Sequence, residues 1–514
     1  MIVFTPAWLF GLLLLGAALV AAAARFQPRY TQATAVAVTA VTLLLWLGMR
    51  TQLPIVPDTA GLYAWGADKS TWALGGDWLV LLLAALLRQR EAAANSSPFS
   101  FPQHGLMLLL GGVTAVTLWA GTPALAVTAW LALALTWAVV GLLNQPAEDR
   151  EDLRAPLAGL LVSVLLLWYA AALGGGAHWA TWSPAARTAA LVAIFVQMGS
   201  VPGLGLRFVT SMKDRETAVL LLLAPCLAGA ALLLRLVASG PMPALQMVTL
   251  IGMLAVLAGI LRAWAHLDDS RSLGAGMALA TGGLLVLAGV WAGPDAAAAE
   301  SRVLALAVGL LFLTEPMGRG RAVWQERRAW LTYGPPVLGW LLMLAALAGL
   351  PLTAGFNGRA ALYQTWLQAN GWVLVLVLAL LHVPLVTAVF LSGLGQRPET
   401  ATATPNWASS GSVLLLAVGL LALPALPLSD VNWATWLALL LPVAAGLLLA
   451  RWMPKMPDWE TAVRLPENWS ARRLRQVGRL TVNAARDAAE LLEGEQSLLW
   501  LLLLAALIVL ASSG

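Results

Sequence analysis

The chain has 514 residues, of which 60% are hydrophobic and only 11% charged, and its mean hydropathy is +0.80. A soluble domain carries about 25% charged residues, so this composition excludes a soluble globular protein and indicates a polytopic membrane protein. The net charge of +5 is spread between apolar runs instead of gathered on one face, which argues against a nucleic-acid partner, and the single cysteine excludes an internal disulfide.

Apolar runs of about 17–25 residues are long enough to cross a bilayer as helices. Taken in order, they predict spans near 6–24, 33–50, 72–87, 104–121, 123–143, 155–175, 186–210, 216–238, 242–266, 272–293, 299–315, 333–369 (broken), 371–395, 411–428, 432–450 and 496–512. The expectation is an all-α protein with about sixteen transmembrane helices. Residues 1–24 lack a basic n-region and a clear cleavage site, so they read as the first span and not as a signal peptide. Cys226 lies inside an apolar run and reads as a small hydrophobe. The four histidines are scattered and form no metal-ligand cluster.

Basic residues test the span count independently. Loops joining an odd span to the next even one hold 22 Lys and Arg, eight of them between 451 and 486. The alternate loops hold five: Arg50, Lys69, Arg187, Arg235 and Arg302. Cytoplasmic loops are enriched in Lys and Arg, so both termini are expected on the outer face of a cell (inner) membrane. Arg207, Arg262 and Arg359 fall within or at the edges of spans.

Two spans carry Gly/Pro interruptions followed by an arginine. Span 7 contains Met198 to Arg207 with Pro202 at its middle, and span 12 contains Gly349 to Arg359 with Pro351 and Gly355. Proline removes a backbone donor and clashes with the preceding turn. In lipid such a break survives only where neighbouring helices or water satisfy the freed carbonyls. The two interruptions lie five spans apart, and an odd offset reverses the membrane sense, the pattern of a transporter-type inverted repeat. Gly and Pro are also common in membrane helices generally, so both readings stand at this level. Arg359 is either an ion-path or pairing residue or a plain loop arginine.

Residues 466–493 combine Arg472, Arg473, Arg475, Arg479 and Arg486 with apolar residues three or four apart. This predicts a basic amphipathic helix in the interface plane before the last span. It is either a brace against a neighbouring subunit or a membrane-surface linker.

Pro351 to Arg359 (Pro-Leu-Thr-Ala-Gly-Phe-Asn-Gly-Arg) resembles the P-x-x-x-G-F-x-x-K break of the antiporter-like proton-translocating subunits of respiratory complex I, membrane-bound hydrogenases and Mrp-type antiporters. Leu267 to Ala275 is similar to the family's D-x-K-R-x-x-A segment opening span 10. Glu216 to Arg235 follows its S-A-L-L-H…K-A-G…L-L-R run in span 8. The likeness covers roughly 120–395. It implies N-terminal spans in 1–103, two inverted five-helix repeats in 104–240 and 241–396, two further spans in 397–465, and the lateral helix with the final span in 466–514.

The departures from the family pattern fall on its proton path. By the resemblance, the span 5 glutamate after a tryptophan is Leu131 here, after Trp130. The span 7 lysine is Gln197, the span 8 histidine and lysine are Leu221 and Leu227, and the span 12 lysine is Arg359. A buried lysine titrates because burial depresses its pKa, whereas arginine stays charged. Ion-path candidates are thus Gln197, Arg207, Arg359 and His382. His382 either passes protons or is satisfied by a carbonyl near Pro384. Arg207 either snorkels or pairs with Glu216 or Asp214. His266, Asp268, Asp269 and Arg271 form an expected network at the cytoplasmic edge, and Glu300 and Glu315 are expected to cap span 11 at the interface.

The resemblance implies an antiporter-like, complex I-like membrane subunit of a multisubunit proton- or ion-translocating assembly (the NADH dehydrogenase family). Its path would be degraded, its role largely structural, and its partners the other membrane subunits and the lipid. The alternative is a proton or ion transporter using Arg359 and His382. Neither reading requires a cofactor or a catalytic centre in this chain.

Overall fold

The computed structural model describes residues 5–56, 63–89, 102–145, 147–175, 178–212, 214–267, 269–313, 327–394, 407–421 and 431–452. The expected amphipathic helix at 466–493 and the last span at 496–512 lie outside these residues, as do Asp268 and Glu315.

Among the described residues the protein is all-helical apart from two isolated bridges, Ile55–Ala67 and Trp65–Ala120. The helices are α1 (Pro6–Phe26), α2 (Thr31–Met49), α3 (Lys69–Arg88), α4 (Gln103–Leu118), α5 (Pro123–Asn144), α6 (Arg154–Gly174), α7 (Pro184–Leu204), α8 (Leu206–Ser211), α9 (Arg215–Ala238), α10 (Leu245–Ala265) and α11 (Ser270–Ala292). They continue with α12 (Pro294–Arg302), a π-helical turn (Val303–Val308), α13 (Gly309–Leu313), α14 (Arg327–Ala348), α15 (Ala354–Gln368), α16 (Trp372–Leu394), α17 (Trp407–Leu421) and α18 (Trp433–Trp452). Twelve of the described helical stretches are long and apolar enough to cross a membrane, and three apolar ones are shorter: Gln103–Leu118, Val337–Ala348 and Gly411–Leu421. The chain is a polytopic membrane protein.

Helix α9 is the centre of the bundle. Its most apolar window is entirely buried, against about a quarter for the two N-terminal helices. An all-apolar helix with no polar face is suited to this position. Helices α7, α4, α11 and α3 pack around it, while α10 pairs with α11 and α6 with α7. The glycines of α3 explain how it enters a crowded core. A Cβ at Gly75 would lie 2.2 Å from the Trp119 ring and one at Gly76 2.0 Å from the Trp46 ring, so both indoles lie directly on the α3 backbone. Trp46 and Trp72 stack 4.2 Å apart and each donates its indole N–H to the other's carbonyl.

Prolines inside membrane helices leave the carbonyl four residues back without a donor. Two of these carbonyls find side-chain donors. Pro225 in α9 frees Leu221, whose carbonyl accepts from Trp137 Nε1 at 2.8 Å. Pro202 in α7 frees Met198, and the Cys226 thiol lies 3.4 Å from that oxygen. Cys226 is buried, as expected of a small hydrophobe, and its single weak donor also lies within reach of the break in α7. Its thiol also reaches its own helix at Leu222 O, 3.3 Å away.

Candidate functional site: a buried charge cluster at the second helix break

Helix α14 does not end at Pro351. It ends at Gly349, which adopts φ 73°, with Gly349 N bonded to Ala346 O (3.1 Å) and Leu350 N to Ala345 O (2.8 Å). This is a Schellman C-cap, for which glycine has no steric penalty. Pro351 follows in the linker, where it prevents continuation. Thr353 then caps α15, its Oγ1 accepting from Phe356 N at 3.4 Å. Gly355 lets the two halves touch, because a Cβ there would lie 2.0 Å from the Ala346 carbonyl oxygen. The break was legible as Gly/Pro-rich, but glycine makes it and proline only enforces it.

The interruption leaves the last carbonyls of α14 without helical partners. Arg359, in the second turn of α15, reaches back and donates Nη1 to Leu347 O at 2.6 Å. The same Nη1 lies 2.9 Å from His382 Nε2 of α16. A guanidinium only donates, so this ring nitrogen accepts and the imidazole proton is on Nδ1. On the other side, Arg359 Nε is 3.3 Å from Glu300 Oε1 of α12, an ion pair without hydrogen-bond alignment. Arg359 is 1% exposed, Glu300 0% and His382 3%. Gly358 makes the carboxylate's approach possible, since a Cβ there would come within 2.8 Å of Glu300 Oε1.

Glu300 corrects an expectation. The sequence reading has it capping the end of span 11 at the membrane interface. Helix α12 begins at Pro294, however, so Glu300 lies in its second turn and inside the bundle. A second, partly buried pair sits two residues on, where Arg302 Nε meets Asp77 Oδ2 of α3 at 3.0 Å. The signal available in the sequence was the run Ala296–Ala299, too small and apolar for an exposed interfacial helix.

Among the described residues, the first break contains no comparable cluster. Gln197 is buried, and its amide oxygen accepts from Ser163 Oγ of α6. Helix α7 ends at Leu204 before Gly205, with Pro202 in its last turn. The carbonyls of Pro202 and Gly203 both accept from Arg262 Nη1 of α10, the latter at 2.8 Å. Arg207 is exposed, and the carboxylates proposed for it are engaged elsewhere: Asp214 accepts from Gln103 (2.6 Å), and Glu216 lies 3.8 Å from Arg88. Leu131, where the family resemblance put a glutamate, is 43% exposed and lies on the outer surface, while Leu221 and Leu227 are fully buried.

At the N-terminus of α11, Asp269 caps the helix by accepting from the Arg271 and Ser272 amides (both 3.1 Å) and from the Ser272 hydroxyl. Partial burial works against its ionisation. The Ser272 hydroxyl, the two amides and the Arg271 charge outweigh that and hold the carboxyl below its usual range. Arg271 in turn donates to the Thr210 and Met212 carbonyls, tying this cap to the end of α8. His266 closes α10 as its C-cap residue.

By sequence, the chain matches no family model and no curated protein. By structure it is similar to a chain of the Mrp complex from Dietzia sp. DQ12-45-1b (TM-score 0.67, 18% identity), the match covering 98% of this chain and 63% of that one. The chain thus spans about two thirds, or slightly less, of that Mrp chain's length. A chain of respiratory complex I from Thermus thermophilus with bound aureothin gives a TM-score of 0.61 at 20% identity, over 85% of this chain and 98% of the other. One from the membrane-bound sulfane sulfur reductase, an archaeal respiratory membrane complex, gives 0.64 at 14% identity over 87% and 99%. At these identities the likeness is one of fold, and it agrees with the motifs around Pro351, Asp269 and Glu216. The chain has the fold of the antiporter-like membrane subunits of complex I- and Mrp-type assemblies.

Proposed function

We infer that the chain is an antiporter-like membrane subunit of a multisubunit proton- or ion-translocating assembly, that its own proton path is degraded, and that its role is largely structural. Two inverted five-helix repeats, 104–240 and 241–396, form its pore scaffold. Residues 1–103 and 397–465 flank them, and 466–514 supply the lateral amphipathic helix and final span. The protein sits in the cell (inner) membrane with both termini on the outer face, and its partners are other membrane subunits and the lipid.

The fold likeness supports the class of assembly. The observation that carries the degraded path is the state of Arg359. A relay needs a group that alternately binds and releases a proton, and a guanidinium stays charged. Arg359 is also held on three sides, by Leu347 O, His382 Nε2 and Glu300. In the first half, Gln197 and Ser163 carry no titratable proton at all. The site residues Gln197, Arg207, Arg359 and His382 are read accordingly as remnants of a path, with Pro202, Pro351 and Gly355 as the retained breaks.

Purification from native membranes tests this. The protein is expected to co-elute with other membrane subunits. Arg359→Leu is expected to lower the yield of assembled complex while the complex that forms pumps normally. Selective loss of pumping with full assembly overturns the reading, as does isolation as a lone, flux-competent protein. One observation favours the transporter alternative: Glu300 gives Arg359 a titratable neighbour opposite His382. Loss of flux in Glu300→Gln with assembly intact is the outcome that selects it.

A further inference from the structure

Between Arg302 and Gly309 the chain leaves the α-helix for one wide turn, the π-helical stretch Val303–Val308. All of its side chains are fully buried. Its composition, Val-Leu-Ala-Leu-Ala-Val, contains no proline or glycine, and alanine and leucine are among the best α-helix formers. A π turn closes its hydrogen bonds between i and i+5, is rare, and recurs at functional sites. Local preference therefore does not account for this one. The cause lies in what the two flanking helices must meet.

The N-terminal side is keyed by charge: Glu300 of α12 faces Arg359 of α15, and Arg302 faces Asp77 of α3. The C-terminal side is keyed by packing. A Cβ at Gly309 would lie 2.6 Å from Leu81 of α3, and one at Gly419 of α17 would lie 2.6 Å from Leu306. We propose that the π turn is a one-residue register adaptor, which aims Glu300 and Arg302 at their partners while α13 stays seated on its neighbours. A π turn holds one residue more than the α-helical segment it replaces. Returned to α-helix at constant length, with α13 fixed, it would roll α12 by about 100° and shift it about 1.5 Å along the axis. Glu300 would then turn off Arg359, and Arg302 off Asp77. With one residue fewer, a continuous α-helix puts α12 back in its present setting. The turn is thus a positioning element for the charge cluster. The proposal concerns this helix alone and holds or fails whichever assembly the chain joins.

An ordinary α-helix answers a deletion and an insertion with equal damage, whereas an adaptor tolerates only the deletion, and the experiment reads that asymmetry. Ala305 and Ala307 are deleted in separate full-length variants, and a third variant carries one alanine inserted between Ala305 and Leu306. Cryo-electron microscopy in lipid nanodiscs reads the helix and both ion pairs, and denaturant unfolding reads the effect of adding Arg359→Leu. At least one deletion variant is expected to fold with this stretch α-helical and both pairs kept. In it, Arg359→Leu lowers the unfolding midpoint as much as in the unmodified chain. The insertion is expected to lose both pairs or to fail to fold. Where it folds, Arg359→Leu shifts its midpoint far less. The proposal is overturned if both deletions fail to fold or part Glu300 from Arg359, or if the insertion keeps both pairs.

Discussion

Breaking the Glu300–Arg359 pair from each side and then from both measures what the cluster contributes. Arg359→Leu leaves Glu300 as an uncompensated carboxylate in a site with no solvent exposure. Removing one partner of a buried pair costs about 3–5 kcal/mol. Glu300→Leu strands the guanidinium instead, though Leu347 O and His382 still hold it, so its cost is expected at the lower end of that range. The double variant removes both charges. What is left is the Leu347 carbonyl and the His382 nitrogen without a donor, about 1–3 kcal/mol for each unsatisfied group. The double variant is therefore expected to be well short of the sum of the singles, with a coupling of about 2–3 kcal/mol. Denaturant unfolding in mixed micelles, followed by tryptophan fluorescence, reads all four corners of the cycle. Additive losses would refute the idea that the two residues act as one electrostatic unit.

Gly355→Ala places a methyl against the Ala346 carbonyl oxygen, which is backbone and cannot swing aside, so a loss of about 3 kcal/mol or more is expected in the same assay. Trp137→Phe strips the donor from Leu221 O and is expected to cost about 1–3 kcal/mol. In a Pro225→Ala background the restored amide supplies Leu221, so the same substitution should cost measurably less; an equal cost in both backgrounds would show that indole packing alone matters. Asp269→Asn keeps a capping oxygen but removes the negative charge at the start of α11, about 0.3–1 kcal/mol at neutral pH. Because the folded carboxyl is held below its unfolded value of about 3.9, its contribution is full above that value and disappears as pH falls through the lower folded one. The gap between Asp269→Asn and the unmodified protein is therefore expected to narrow as pH falls below about 3.9 and to close once the folded carboxyl is protonated, read from unfolding curves against pH.

The helices and both breaks were legible because apolar run length and Gly/Pro punctuation are local signals. Arg359 and His382 stood out as polar residues in apolar surroundings, and the structure brings them within 2.9 Å of each other. Glu300 and Asp77 were not legible as partners, because each depends on which face its helix turns inward, and a single sequence does not set that. The same blindness touched the basic residues. Of the five assigned to the poorer side, Arg187 bonds the carbonyls of Ser239 and Pro241, Arg235 those of Gly66 and Leu118, and Arg302 pairs with Asp77. Of these five, only Arg50 and Lys69 are exposed. Leu131 illustrates the converse, a motif position carried over by a neighbouring tryptophan that turned out to face outward.

Glu300 and Arg302 sit two residues apart on α12, and at 3.6 residues per turn they point about 200° away from one another. One is tethered to α15 and the other to α3. A rod pinned by opposite charges on opposite sides resists spinning about its long axis, since any roll that relieves one tether stretches the other. The two ion pairs therefore tie α12 on one side to α3, in the N-terminal region, and on the other to α15, at the second break.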